Sequence, residues 1–301
     1  MSEIKNVALA GASGNLGPAI LNGLLEAKFH VTVLVRPSSK STFPAGVTRV
    51  EADFTSLESL TVALKGQDAV VCTFGTPESL GSQPLIVDAA IAAGVKLFVP
   101  SEFGCDLTNP RARILPVYGA KVTVEDYLKT KAAEGKIAYA FIYNGAFLDW
   151  GLQVGFLQNP AARQATLHDG GDNKFSATTL PTVGAATAKV LAKFPETKNK
   201  EIRVHEAHIS LEQLLAVAKE LTPGEEWKVE TTNTADLEKK AYEDLQSGNI
   251  HDGVWYSFLF RAIFGEGYGG GFEKTDNALY GVKELSDADL KAVVAKYVKK
   301  A

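Results

Sequence analysis

The sequence has little of what would mark several specialised classes. Only two cysteines, Cys72 and Cys105, occur in 301 residues. Two thiols cannot build the disulfide framework of a small secreted domain, so a reduced compartment is expected. No apolar run reaches the roughly 18 residues that span a bilayer. The stretch Met1-Ser-Glu-Ile-Lys5 has neither the basic n-region nor the apolar h-region of a secretory signal. The expectation is a cytoplasmic protein with no membrane partner. Basic residues are also in short supply, with 31 Lys+Arg against 35 Asp+Glu and a formal charge of −4. Binding through phosphate contacts needs a basic surplus, so no nucleic-acid partner is expected. The five histidines (His30, His168, His205, His208, His251) form no His-x-x-x-His pair and no Cys/His cluster. No protein-bound metal is expected. Neither a Gly-x-Ser-x-Gly elbow nor a P-loop Lys-Ser/Thr is found.

The first half alternates short apolar runs with helical ones. Strands are expected at 6–11, 30–36, 48–54, 68–75, 95–100 and 137–143, all apolar on both faces. Helices are expected at 18–28, 56–65, 83–93 and 117–133. This alternation argues for βαβ units and a buried parallel sheet. Thr55-Ser-Leu-Glu58 fits a capping box for the helix at 56–65, and Gly66 and Gly94 stand at helix C-caps. After about residue 150 the texture changes to irregular Gly/Asn/Pro stretches and separate helices at 210–221, 235–246, about 253–264 and 286–299. Ser286–Asp289 resembles a helix start. His205 and His208 are expected at a strand end and in a loop. We therefore expect two lobes, 1–150 and 151–301, with the chain free to cross between them. The fold class is α/β: a doubly wound parallel sheet of Rossmann type with a smaller α+β substrate-binding lobe.

Gly11-Ala-Ser13-Gly14-Asn15-Leu16-Gly17-Pro18 follows the first strand and opens the first helix. Gly11 permits a tight turn, Gly14 lets a diphosphate approach the backbone, and Gly17 lets the helix pack closely. The helix N-terminus there suits an anion. The second strand ends in Arg36, with no acid between Thr32 and Val50. A guanidinium pairs with a 2′-phosphate where an acid would hold a 2′-hydroxyl, and Lys40 adds charge. NADP(H) is the expected cofactor. Asp53 and Phe54 would lie near its adenine, and Gly75 and Thr76 along its diphosphate and nicotinamide ribose, unless they are merely strand-end residues.

These features, together with Phe98-Val-Pro-Ser-Glu-Phe-Gly104, resemble the isoflavone reductase-like/NmrA-like family of atypical short-chain dehydrogenases. Tyr143-Asn144-Gly-Ala-Phe147 is similar to the family's Ser-Asn-x-Phe segment. Gly170-Gly-Asp-Asn-Lys174 is similar, imperfectly, to its Gly-Asp-Gly-Asn-Thr-Lys hairpin. The likeness is good over residues 5–150 and visible to about 195. It implies an NADPH-dependent reductase of small aromatic natural products; the sequence leaves monomer or homodimer open. The residue matching the family's catalytic lysine is Lys121, which would hold the ribose hydroxyls and support a developing oxyanion. Tyr118 lies at i−3 from Lys121 and would share its helix face. Ser101, Phe103 and Asn144 would meet the cofactor, and Phe103, Phe147 and Trp150 the substrate. Glu102 could equally be an N-cap or a structural acceptor. Trp255, Tyr256, Phe258 and Tyr268 would line the pocket or pack the core. The turn Gly265–Gly271 follows a helix, so it is no second phosphate loop, and its composition suits a mobile flap. Two other activities stay open: an NADP(H)-assisted isomerase or epimerase, and an NADP(H)-binding redox sensor without turnover.

Overall fold

The computed structural model describes residues 3–298. Its strands are β1 (Asn6–Ala10), β2 (His30–Val35), β3 (Thr48–Glu51), β4 (Ala69–Cys72), β5 (Leu97–Val99), β6 (Ala138–Tyr143), β7 (Ala146–Phe147), β8 (Gln164–His168), β9 (Phe175–Thr178), β10 (Lys200–Arg203), β11 (Ala207–Ile209) and β12 (Lys228–Thr232). The first six helices are α1 (Gly17–Glu26), α2 (Leu57–Ala63), α3 (Pro77–Gly81), α4 (Gln83–Ala92), α5 (Pro110–Arg113) and α6 (Gly119–Ala133).

The chain forms two compact units. The first takes residues 1–103, 120–142 and 181–202; the second takes 104–119, 143–180 and 203–301. The large sheet has the order β10-β6-β5-β4-β1-β2-β3. Neighbours from β6 to β3 pair in parallel. The order reverses between β1 and β4, which is where ligands bind in an open α/β sheet. Val7 to Ala10 of β1 and Ala69 to Cys72 of β4 are wholly buried, as central parallel strands require. Burial pushes the Cys72 thiol far up, so it behaves as a small hydrophobe.

Expectation and structure part in several places. Strand β3 is not apolar on both faces: Thr48, Arg49 and Glu51 are exposed, because β3 is the sheet's edge. Helix α2 is capped by Ser56, whose hydroxyl accepts from the Ser59 N–H, while Thr55 bonds Asp53 instead. The helix Leu180–Ala192 was not anticipated. Its sequence is apolar nearly all round and broken by Pro181 and Gly184, so it shows no clean helical period. Its Gly184 crosses α1 at backbone contact: a Cβ on Gly184 would stand 2.1 Å from the Ala19 carbonyl oxygen, and one on Gly23 2.4 Å from that of Gly184.

The second unit holds a three-stranded sheet, β11-β9-β7, and a parallel pair, β12-β8. His208 lies in the middle of β11 rather than in a loop. Ser286 and Asp289 form the expected capping box of a helix that runs Asp287–Ala295; Lys299 lies outside the described residues. No helix among the described residues is long and apolar enough to cross a membrane.

Candidate functional site

The glycine loop sits over the β1/β4 switch point. Gly11 has φ +91°, and a Cβ there would meet Thr73 Oγ1 at 2.7 Å. Thr73 fastens the two strand ends, its N–H and hydroxyl both donating to the Ala10 carbonyl at 2.9 and 3.1 Å. Gly17 is required by the loop itself, since its Cβ would lie 2.3 Å from the Gly11 carbonyl oxygen. Gly14 would meet only ordinary contacts. It is exposed with Ser13 and Asn15, while Leu16 is buried. Leu16 is the α1 N-cap and makes no side-chain cap; its carbonyl accepts from Ala19 N–H at 3.0 Å, and Pro18 in the first turn carries no N–H.

At the end of β2, Arg36 and Lys40 are exposed. The turn between them is closed by Ser39 N–H donating to the Arg36 carbonyl at 2.9 Å and braced by Arg49, which donates to the Ser39 carbonyl at 2.8 Å. Asp53 is exposed, and its carboxylate accepts from the hydroxyl and N–H of Thr55, which hold it below the usual carboxylate range. Phe54 stands edge-on to Phe74 at 6.1 Å, so the ends of β3 and β4 carry an aromatic pair. Gly75 is exposed and faces open space. Thr76 caps α3 through a capping box with Ser79, so its hydroxyl already has a structural task.

The loop after β5 is tightly held. The Ser101 hydroxyl donates to the Phe74 carbonyl at 2.7 Å, and its N–H donates to Oε1 of buried Gln83 at 2.9 Å. Glu102 N–H reaches back to the Pro100 carbonyl at 2.8 Å. Phe103 is buried at φ +33°, a conformation that costs a non-glycine residue energy and recurs at functional sites. The Lys121 ammonium, in the first turn of α6, donates to the Glu102 carbonyl. Lys121 is thus seated on the loop at the carboxyl end of β5. Tyr118 is buried, but it closes a 3₁₀ turn (Pro116–Tyr118). Tyr118 and Lys121 therefore do not sit on one continuous α-helix, as the i, i+3 expectation assumed.

In the second unit, Asn144 is wholly buried. Its amide nitrogen donates to the Gly145 carbonyl at 3.0 Å, and its Oδ1 has no hydrogen-bond partner among the described residues. Its main chain is tied to Gly104 and Thr178. Gly145 has φ +66°, and a Cβ there would collide with Ser176. Half-buried aromatics form a run from this segment. Phe147 stands edge-on to Trp150 at 6.4 Å, Trp150 lies 5.9 Å from Phe156, and Phe156 meets Tyr256 and Phe260 at 5.9 and 5.2 Å. Tyr256 is 42% exposed, whereas Phe258 is core. His168 stacks on Phe260 and Phe264 at 4.3 and 4.9 Å, and burial lowers its pKa to about 4.

A cavity of about 790 Å³ also lies in this unit, lined largely by polar groups such as Asp106, Lys174, Arg203 and His208 and by the turn 265–271. That turn is not a free flap. Asn109 and Asn173 donate to the Gly267 and Phe264 carbonyls, and Ser176 N–H to that of Gly270. Its glycines are explained by contact: a Cβ on Gly270 would stand 2.0 Å from the Ile263 carbonyl oxygen. No group of three or more metal-ligating side chains is found among the described residues.

Residues 3–239 match the NmrA-like family. The chain belongs to that family. Oxidoreductase poxI of Penicillium oxalicum is 34% identical over 300 residues, which are 95% of this chain and 92% of its own. An isoflavone reductase homolog of Zea mays is 32% identical over 223 residues, 67% of this chain and 69% of its own. The solved structure of AtPrR2 with NADP+ and (+)pinoresinol shares the fold, with a TM-score of 0.80, 21% identity, and coverage of 99% of this chain and 100% of that one. For an NmrA-like chain, two features of the first unit add to what the sequence suggested. Phe74 flanks the strand ends, and Gln83 orients the Ser101 loop. Neither carries a local signal: one is a strand-end aromatic, the other a glutamine ahead of Pro84 in a helix start.

Proposed function

We propose that the protein is an NADP(H)-dependent reductase of small aromatic or quinonoid compounds. The first unit would hold the cofactor and the second would supply substrate contacts. The observation that carries the reading is Lys121, seated on the Glu102 carbonyl in the same unit as a glycine loop that spans the sheet's switch point. The residues present fit the cofactor. The uncapped first turn of α1 and the exposed backbone at Ser13–Asn15 suit a diphosphate, and Arg36 and Lys40 suit a 2′-phosphate. Phe54 and Phe74 offer aromatic surface at the adenine end.

When bound, the cofactor supplies a hydride. The chain's part is to place charge and exclude water. Lys121 would hold ribose hydroxyls and set a positive charge where a substrate oxygen becomes anionic. The Gln83–Ser101–Phe74 bonds keep the loop that carries the Glu102 carbonyl, and with it the lysine, in one position. The aromatic run Phe147–Trp150–Phe156–Tyr256 gives an apolar surface of edge-on and tilted rings, suited to contact with an aromatic ring. The naming of poxI as an oxidoreductase and the pinoresinol held by AtPrR2 support this choice of chemistry.

The test is turnover of NADPH with a panel of aromatic enones, quinones and benzylic ethers, followed at the nicotinamide absorbance band. Consumption that Lys121→Ala removes while NADPH still binds is the expected result. Tight cofactor binding with no turnover on a broad panel overturns the reductase reading.

A further inference from the structure

We infer that β12 is the interface strand of a two-fold homodimer, paired antiparallel with β12 of a second copy. This strand is the open edge of the β12-β8 pair, and Lys228, Val229, Glu230 and Thr231 are all exposed. The hydrogen-bond phase fixes which groups face outward. Lys228 N–H donates to the Arg163 carbonyl, and the Thr232 carbonyl accepts from Asp169 N–H. In a parallel pair both main-chain groups of a residue point the same way, and alternate residues turn to opposite sides. Lys228, Glu230 and Thr232 therefore face β8. Val229 and Thr231 offer their N–H and C=O to the open side, where no partner is found among the described residues.

The side chains then choose the register. A two-fold axis at Val229 makes Val229 a hydrogen-bonded pair with its own copy, using the groups that point outward. Lys228 and Glu230 pair with each other along the strand at 2.7 Å, and this register places each opposite the other residue of the second copy, twice, at the closer non-hydrogen-bonded sites, so that the four charges alternate in sign. Trp227 then faces Thr231, an aromatic opposite a β-branched residue. Moving the axis by one residue would put Glu230 opposite Glu230, and like charges across a strand pair repel. Such a contact is isologous and uses up the edge, so it closes at two copies. Of the other edge strands, β3 fits less well, since its Arg49 braces the Ser39 carbonyl of the basic turn.

Sedimentation velocity on the full chain, from about 1 µM to about 1 mM, reads the assembly. The wild type is expected to dimerise as concentration rises. Lys228→Glu sets Glu opposite Glu and should raise the dimer dissociation constant about tenfold or more; Glu230→Lys sets Lys opposite Lys and should do the same. An equimolar mixture of these two variants restores both opposite-charge pairs, and dimer should return. Val229→Pro, which removes both central N–H donors, should leave monomer. Should that variant fail to fold, the charge variants decide alone. A wild type that stays monomeric throughout overturns the proposal, because the charged edge then serves only solubility. A dimer indifferent to Lys228→Glu and Glu230→Lys overturns it as well.

Discussion

The Lys121 ammonium donates to a backbone carbonyl, that of Glu102, which orients it at the carboxyl end of β5, where the proposed reduction would need a positive charge. Replacing Lys121 with Ala is expected to lower kcat for reduction by about 10²- to 10⁴-fold and to change NADPH affinity far less, as single-turnover and fluorescence titrations would show. Arg36 should separate the two nicotinamide cofactors. Arg36→Ala is expected to weaken NADPH about tenfold or more and leave NADH nearly unchanged; equal losses for both in a titration would remove its 2′-phosphate role. Gln83 acts through the Ser101 loop rather than on a ligand. Gln83→Leu, which removes the acceptor for Ser101 N–H, should reduce kcat more than it raises KM.

At the level of elements, the two glycines where α1 crosses the helix Leu180–Ala192 set how near those helices come. Gly184→Ala would force a methyl onto the Ala19 carbonyl and should cost about 2–3 kcal/mol, seen as a fall in Tm of several degrees. Gly81→Ala, in open space at the end of α3, is the neutral control. How much could be read ahead follows the same physical lines. Buried strands β1, β2, β4 and β5 announce themselves as β-branched apolar runs, and the loop at Gly11–Gly17 by its spacing, so the cofactor half of the fold is legible residue by residue. The helix Leu180–Ala192 is not, because its exposed stripe (Pro181, Ala185, Lys189, Ala192) is as apolar as its buried face but for one lysine, so hydrophobicity shows no period. Strand β3 lies where a strand was expected, but its exposed faces were not legible, because an edge position depends on which strands pair and on no local property. In the candidate site, Lys121 is proposed through a motif, whereas the placement of Gln83, Phe74 and Phe156 depends on what distant segments bring to them.

For the whole molecule, acid is the lever most plainly built in. His168 packs against both Phe260 and Phe264 and stays neutral in the fold down to about pH 4, while an unfolded chain takes up that proton near pH 6.5. Between those values the unfolded state binds more protons, so stability falls as pH drops through the window and levels off below it. The full span is worth on the order of 3 kcal/mol. Burial lowers His205 and His208 too, adding to the same trend. Denaturant melts between pH 7.5 and 4.5 should show the decline, and His168→Phe should flatten part of it. A dome centred at acidic pH would contradict the assignment. The interleaving of the two units along the chain also bears on biosynthesis. Strand β10 borders β6, and Gly184 locks against α1, yet both come well past the midpoint of the chain. A ribosome must therefore release about two hundred residues before the first unit can close. Until then β6 stands as an open hydrophobic edge, and the nascent chain is most in need of a chaperone late in its synthesis.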